Sequence, residues 1–105
     1  MKVDLVVLRE LMIEIFEKSI EIRASENKLL EAYKERLFGG TVHTCVGQEI
    51  IPAAISSVVS QKVNVISNHR GHGHYIAHTD DKSALFSEFL GKKDSPFSWY
   101  RFTKQ

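Results

Sequence analysis

The side chains best suited to chemistry fall in three short stretches: His43 with Cys45, Gly47-Gln48-Glu49, and Asn68 through His74. The third is the richest, because four of the five histidines lie between positions 69 and 78. Within it, Arg70 follows a segment that reads as a strand and precedes Gly71 and Gly73. Open α/β sheets bind ligands beyond the C-terminal ends of their strands. Glycines let the backbone approach a ligand closely, and a following helix offers its N-terminal N–H groups to an anion. Arginine adds a fork of donors matched to phosphate or carboxylate, and histidines add donors that titrate near neutrality. The pattern suits an anion site, and a solvated turn is its plainer reading.

Other chemistries compete for the same residues. His74 and His78, four apart, share a helix face, and His69, His72 and Cys45 are further candidate metal ligands. No His-Glu-x-x-His occurs, and Cys45 has no partner cysteine, so no metal ligands are assigned. A Cys45–His43 nucleophilic pair is conceivable on one strand face, against the simpler reading of a small buried cysteine. Glu49 reads equally as an acid in the first turn of a helix, where the macrodipole favours it.

The elements that must carry these residues are mostly helical. Residues 4–23 read as an amphipathic helix, with Leu5, Leu8, Met12, Ile15, Ser19 and Ile22 on one stripe. Ser25 looks like the cap of a second helix over about 26–37, stopped by Gly39-Gly40. Thr41 to Val46 reads as an extended strand or loop, and Gln48 to Ser60 as a helix with Pro52 near its start. Val63 to Ile66 is the best strand candidate. Short helices are expected over 70–78 and 82–90, with Asp80-Asp81 capping the second. Leu8, Met12, Ile15, Leu85, Phe86 and Phe89 are expected to be packing residues. One or two short strands cannot make a covered sheet alone, so the pattern suggests the leading edge of a larger α/β domain.

Composition narrows the class. The 105 residues allow one domain at most, with 43% hydrophobic and 26% charged residues. A net charge of +1 gives no global field toward nucleic acid or an anionic membrane. The lone cysteine suits a reducing compartment, and Asp4, Arg9 and Glu10 interrupt any signal-peptide core. The longest apolar run, Ile50 to Ile55, is too short for a membrane span, so a cytoplasmic location is expected.

Taken together, the motifs resemble a known family. His43-Thr44-Cys45-Val46-Gly47-Gln48-Glu49 resembles the His-x-x-x-Gly-Gln-Glu segment of α subunits of thiamin-diphosphate-dependent 2-oxo acid dehydrogenases, the pyruvate, branched-chain and acetoin systems. About twenty residues later such subunits carry Tyr-Arg-Gly-His-Gly-His or a near variant, where this chain has His69-Arg70-Gly71-His72-Gly73-His74. Ser83 to Gly91 and Lys92 resemble the next helix and its Leu/Phe-Gly-Lys ending. The resemblance runs over roughly residues 5–93.

The resemblance implies a helix-rich N-terminal fragment of a thiamin-diphosphate-binding α/β fold, with one or two short strands. Residues 1–93 would form that part, and 94–105 a C-terminal tail of different pattern. It further implies that Arg70 reaches the cofactor diphosphate and that His69, standing where tyrosine is usual, donates beside it. His43 and His74 would line the catalytic pocket, with the roles of His72 and His78 open. Implied partners are a β subunit, which supplies the carboxylate that activates the cofactor, a lipoyl carrier domain and a 2-oxo acid. Mg²⁺ accompanies the cofactor in the family through a Gly-Asp-Gly motif, and none occurs here. The parent activity would be oxidative decarboxylation with acyl transfer to the lipoyl carrier, the chain being inactive alone. A truncation, a partial gene product or a frame-shifted end would account for this. The alternative from another class is a non-catalytic helical interaction module with a remnant anion site.

Overall fold

The computed structural model describes residues 4–40, 42–59, 64–79 and 81–90. Its elements are α1 (Leu5–Lys34), α2 (Ile50–Val58), α3 (His72–Thr79) and α4 (Lys82–Phe89). The expectations that fall on Thr41, Ser60, Lys62, Val63, Asp80 and residues 91–105 lie outside the described residues.

α1 is one 30-residue helix where two were expected, about 45 Å long at the usual rise. No glycine or proline interrupts it, and Leu8, Ile15, Ile22 and Leu29 recur at seven-residue steps. The apolar stripe therefore stays in phase across Ser25, where it is buried at Ile22 and Leu29, and Ser25 is itself buried inside the helix and caps nothing. The true N-cap is Asp4, whose carboxylate accepts from the Val6 and Val7 N–H groups at 2.9 and 3.4 Å. At the other end the Arg36 N–H donates to Tyr33 O and the Leu37 N–H to Ala32 O, both at 3.0 Å. Those two bonds make a Schellman closure, with Arg36 at φ 60° in the position that usually favours glycine. The stop thus precedes Gly39-Gly40.

α2 and α3 pack against α1 and each other, and α4 packs on α3. The core is Ile22 and Leu29 of α1, Cys45, Ala53, Ile76 and Leu85, with Ile15, Phe38, Tyr75, Phe86 and Phe89 packed around it. Polar ties add to the packing. Lys18 Nζ donates to Ser56 Oγ at 2.8 Å, joining α1 to α2. Asp81 caps α4 by accepting from the Ala84 N–H at 3.0 Å, as the sequence suggested. Of the expected packing residues, Leu85 is buried, and Ile15, Phe86 and Phe89 are half-buried against the core. Leu8 and Met12 are exposed, as are Leu5, Ile13, Phe16 and Ile20. Among the described residues none of the helices is long and apolar enough to cross a membrane.

The helix-rich architecture is as expected, but no strand forms among the described residues. Residues 42–45 and 64–68 run without regular structure. A strand needs a neighbour to take its backbone hydrogen bonds, and an isolated segment has none. Ile66, the most β-prone end of the candidate strand, is 97% exposed.

Candidate functional site

Two loops bring the site residues together. The first, residues 42–49, joins the end of α1 to α2 and carries His43 and Cys45. The second, residues 64–71, leads into α3 and carries His69 and Arg70. The His43 and His69 rings meet edge to face, with centroids 4.7 Å apart and planes at 79°. Arg70 sits in a tight turn next door. Its N–H donates to Asn68 Oδ1 at 3.1 Å, and the Gly71 N–H donates to Asn68 O at 3.0 Å. Asn68 therefore fixes the Arg70 backbone, while the guanidinium is exposed and meets no carboxylate among the described residues. His43 and His69 are exposed as well, and the ring contact joins those two alone among the described residues.

His74 lies elsewhere. It occupies the interior of α3, half-buried, and no hydrogen bond or ring contact joins it to His43 or His69 among the described residues. Its Nδ1 is buried without a hydrogen-bond partner among the described residues, as are His78 Nε2 one turn on and Ser57 Oγ. Burial lowers the His78 pKa, and the nearby charges of His74 and Lys18 lower it further. No group of three His, Cys, Asp or Glu side chains converges as a metal set among the described residues.

Beneath the two loops lie acids whose roles sequence reasoning missed. Glu26 of α1 is fully buried. It accepts from the Cys45 N–H at 2.7 Å and pairs with His72 Nδ1 at 2.9 Å. Position 26 falls between Ile22 and Leu29 on the buried stripe, and a carboxylate there demands partners. That demand was the signal available in the sequence. His72 in turn rests edge-on against Phe89, at 4.9 Å and 82°.

Glu49 is also buried, and its carboxylate takes both Nε and a terminal nitrogen of Arg23 from α1. It further accepts from the Gly47 N–H at 3.0 Å, where Gly47 holds φ 92°. Arg23 holds the Glu49 carboxyl well below the usual range, at about 2, helped by the Gly47 N–H and opposed by burial. Glu49 thus locks the loop to α1 instead of capping α2, whose start shows no side-chain cap bond.

Cys45 is no activated nucleophile. Burial, reinforced by Glu26, pushes its thiol up to about 11, against a smaller opposing pull from the Gly73 N–H. Its Sγ packs where a side chain at residue 73 would stand: a Cβ there would lie 2.8 Å from Cys45 Sγ and 2.9 Å from Pro52 Cγ. Gly73 is what lets α3 sit against the first loop and the start of α2.

Comparison with known proteins agrees with the residue pattern. The dehydrogenase E1 component family matches residues 17–102. The α subunit of acetoin:2,6-dichlorophenolindophenol oxidoreductase from Bacillus subtilis is 32% identical over 78 residues, covering 74% of this chain and 23% of the relative. The pyruvate dehydrogenase E1 component α subunit from Zymomonas mobilis is 27% identical over 85 residues, covering 80% of this chain and 24% of that protein. The chain therefore spans about a quarter of the length of the curated relatives it matches. No solved structure matches it. With the family match running over most of the chain, and with both loop motifs inside it, the chain belongs to the dehydrogenase E1 component family.

Proposed function

We propose that the His43–His69–Arg70 cluster holds the diphosphate of thiamin diphosphate, and that this chain is part of an α subunit of a 2-oxo acid dehydrogenase. The contact between the His43 and His69 rings beside the exposed Arg70 guanidinium carries the reading. Two separate loops bring the His43 and His69 rings together with Arg70 next in sequence, and these nitrogen donors fit an anion. Arg70 would grip phosphate oxygens, His69 would donate beside it, and His43 would line the same pocket. His74, whose buried Nδ1 lacks a partner among the described residues, would serve the pocket from within α3.

The cofactor, when bound, supplies the carbanion chemistry, and the protein supplies binding, orientation and exclusion of water. A β subunit would provide the activating carboxylate and the missing walls, and a lipoyl carrier would receive the acyl group. Mg²⁺ would need oxygen ligands from outside this sequence, since no Gly-Asp-Gly is present. Within this reading residues 1–93 are the family-like part, 94–105 a segment of different pattern, and the location is cytoplasmic.

A second reading, a non-catalytic interaction module, is favoured by one observation: the outer side of the first half of α1 is apolar and exposed. Such a surface marks an interface, which an enzyme subunit would also need. Cofactor binding separates the two readings. NMR titration of the purified chain with thiamin diphosphate should give affinity of about a millimolar, near 4 kcal/mol. The largest shifts should fall on His43, His69 and Arg70, and Arg70→Ala should abolish measurable binding. Equal affinity in wild type and variant would overturn the assignment.

A further inference from the structure

We propose that Glu26 is a positioning residue that sets the two site loops in register, so that His43 and His69 meet. The proposal rests on the reading of that cluster as a diphosphate site for its functional meaning, and on hydrogen bonds for its geometry. One carboxylate ties the first loop to the residue that follows the second. Its Oε2 accepts from the Cys45 N–H at 2.7 Å, two residues from His43. Its Oε1 lies 2.9 Å from His72 Nδ1, three residues from His69 and two from Arg70. No hydrogen bond passes directly from loop 42–49 to loop 64–71 among the described residues.

The acid has no solvent to compensate it. Glu26 is fully buried and His72 nearly so, with side-chain exposure of 0% and 15%. A buried carboxylate is stable only with its oxygens occupied, and here one donor comes from the first loop and the other from His72, the first residue of α3 directly after the second loop. Between an ionised carboxylate and this ring, Nδ1 is the donor and the carboxylate oxygen the acceptor. Phe89 of α4 meets the same ring at 4.9 Å with the planes at 82°. Glu26 itself cannot shift, because it lies inside a continuous helix between the buried Ile22 and Leu29. The long helix is therefore the ruler against which both loops are measured. Arg23, one turn earlier on α1, fastens the far end of the first loop through Glu49.

The test uses the 105-residue chain and three variants. Glu26→Met keeps length and burial but removes both acceptors. Glu26→Gln keeps a two-ended group, whose oxygen can accept from the Cys45 N–H while its amide donates to His72. Circular dichroism reports folding, and an NOE between the His43 and His69 rings reports register. Hydrogen exchange at the Cys45 amide reports the first anchor, and inorganic pyrophosphate titration reports the site. In a folded Glu26→Met variant we expect loss of the NOE, at least tenfold faster Cys45 exchange and at least fivefold weaker pyrophosphate binding. Glu26→Gln should retain the NOE and bind pyrophosphate within about threefold of wild type. A folded Glu26→Met chain that keeps both NOE and affinity overturns the proposal. Should Glu26→Met fail to fold, His72→Phe decides. It cuts only the second anchor, so the NOE should vanish while the Cys45 amide stays protected, and a retained NOE overturns the proposal. A wild-type chain with the NOE but no pyrophosphate binding defeats the diphosphate reading and leaves the positioning role standing.

Discussion

Three polar side chains in the interior do different work from the three on the surface. His43, His69 and Arg70 are exposed and face solvent, whereas Glu26, Glu49 and His72 are held underneath by partners on other segments. Glu49 shows how such a partner converts to stability. The Arg23 hydrogen bond holds its carboxyl down at about 2, against an ordinary value of 4.5. The folded value is the lower one, so the unfolded chain binds the extra proton. The contribution is complete above about pH 4.5 and is lost as the pH falls through about 2. The shift corresponds to at most about 3 kcal/mol. Arg23 is half exposed, and solvent screening brings the realised figure nearer 1–2 kcal/mol. Glu49→Gln should therefore lower the urea-unfolding free energy by about that amount at neutral pH, with the gap closing toward pH 2. A gap independent of pH would mean that the ion pair contributes nothing and that the Gly47 contact alone matters.

At the scale of the elements, the placement of α3 decides whether the second loop reaches the first. Gly73 makes that placement possible. A methyl group there would meet Cys45 Sγ at 2.8 Å and Pro52 Cγ at 2.9 Å, and the proline ring has little freedom to yield. Gly73→Ala should destabilise the chain by about 1–3 kcal/mol, the cost of overpacking, despite alanine's better helix propensity. Adding Cys45→Ala removes one of the two clashes and should recover part of the loss in the same denaturation experiment. Full recovery, or no loss at all, would show that α3 can shift freely. This close approach was half legible in the sequence: the Gly-His-Gly-His pattern pointed to backbone packed tightly against something, and was read as a ligand. The cap at Asp81 and the helices around it were legible because local rules govern them. Ser25 misled for the opposite reason. Its side chain matches a cap locally, but the apolar phase runs straight through it, and burial of Ile22 and Leu29 on either side outweighs one capping bond. Glu26 was passed over because acids on α1 are common, and only its place on the buried stripe sets it apart from Glu10, Glu14, Glu17 and Glu21. Of the expected strand at 63–66, the described residues 64–66 form none, because the sequence favours β structure but no described neighbour pairs with it.

For the whole molecule, the site and the surface point the same way. His43, His69 and Arg70 stand open to water, and the outer side of the first half of α1 presents Met12, Phe16 and Ile20 without cover. Burial at 25 cal/mol per Å² would reward any element that covers them. Catalysis by the proposed cofactor needs the reverse of an open site, because water must be excluded for the protein's fixed charges to act at full strength. It also needs an activating carboxylate, and the acids nearest the loops are committed: Glu26 to Cys45 and His72, and Glu49 to Arg23 and Gly47. The chain should therefore bind thiamin diphosphate weakly and turn nothing over alone. The check is to incubate it with thiamin diphosphate, Mg²⁺, pyruvate or a branched 2-oxo acid, and an artificial electron acceptor, and to measure acceptor reduction. The expected rate equals that of free cofactor, with and without the chain. Turnover above that background, abolished by Arg70→Ala, would mean that these four helices supply a complete active site, and the reading of the chain as one part of a larger enzyme would fall.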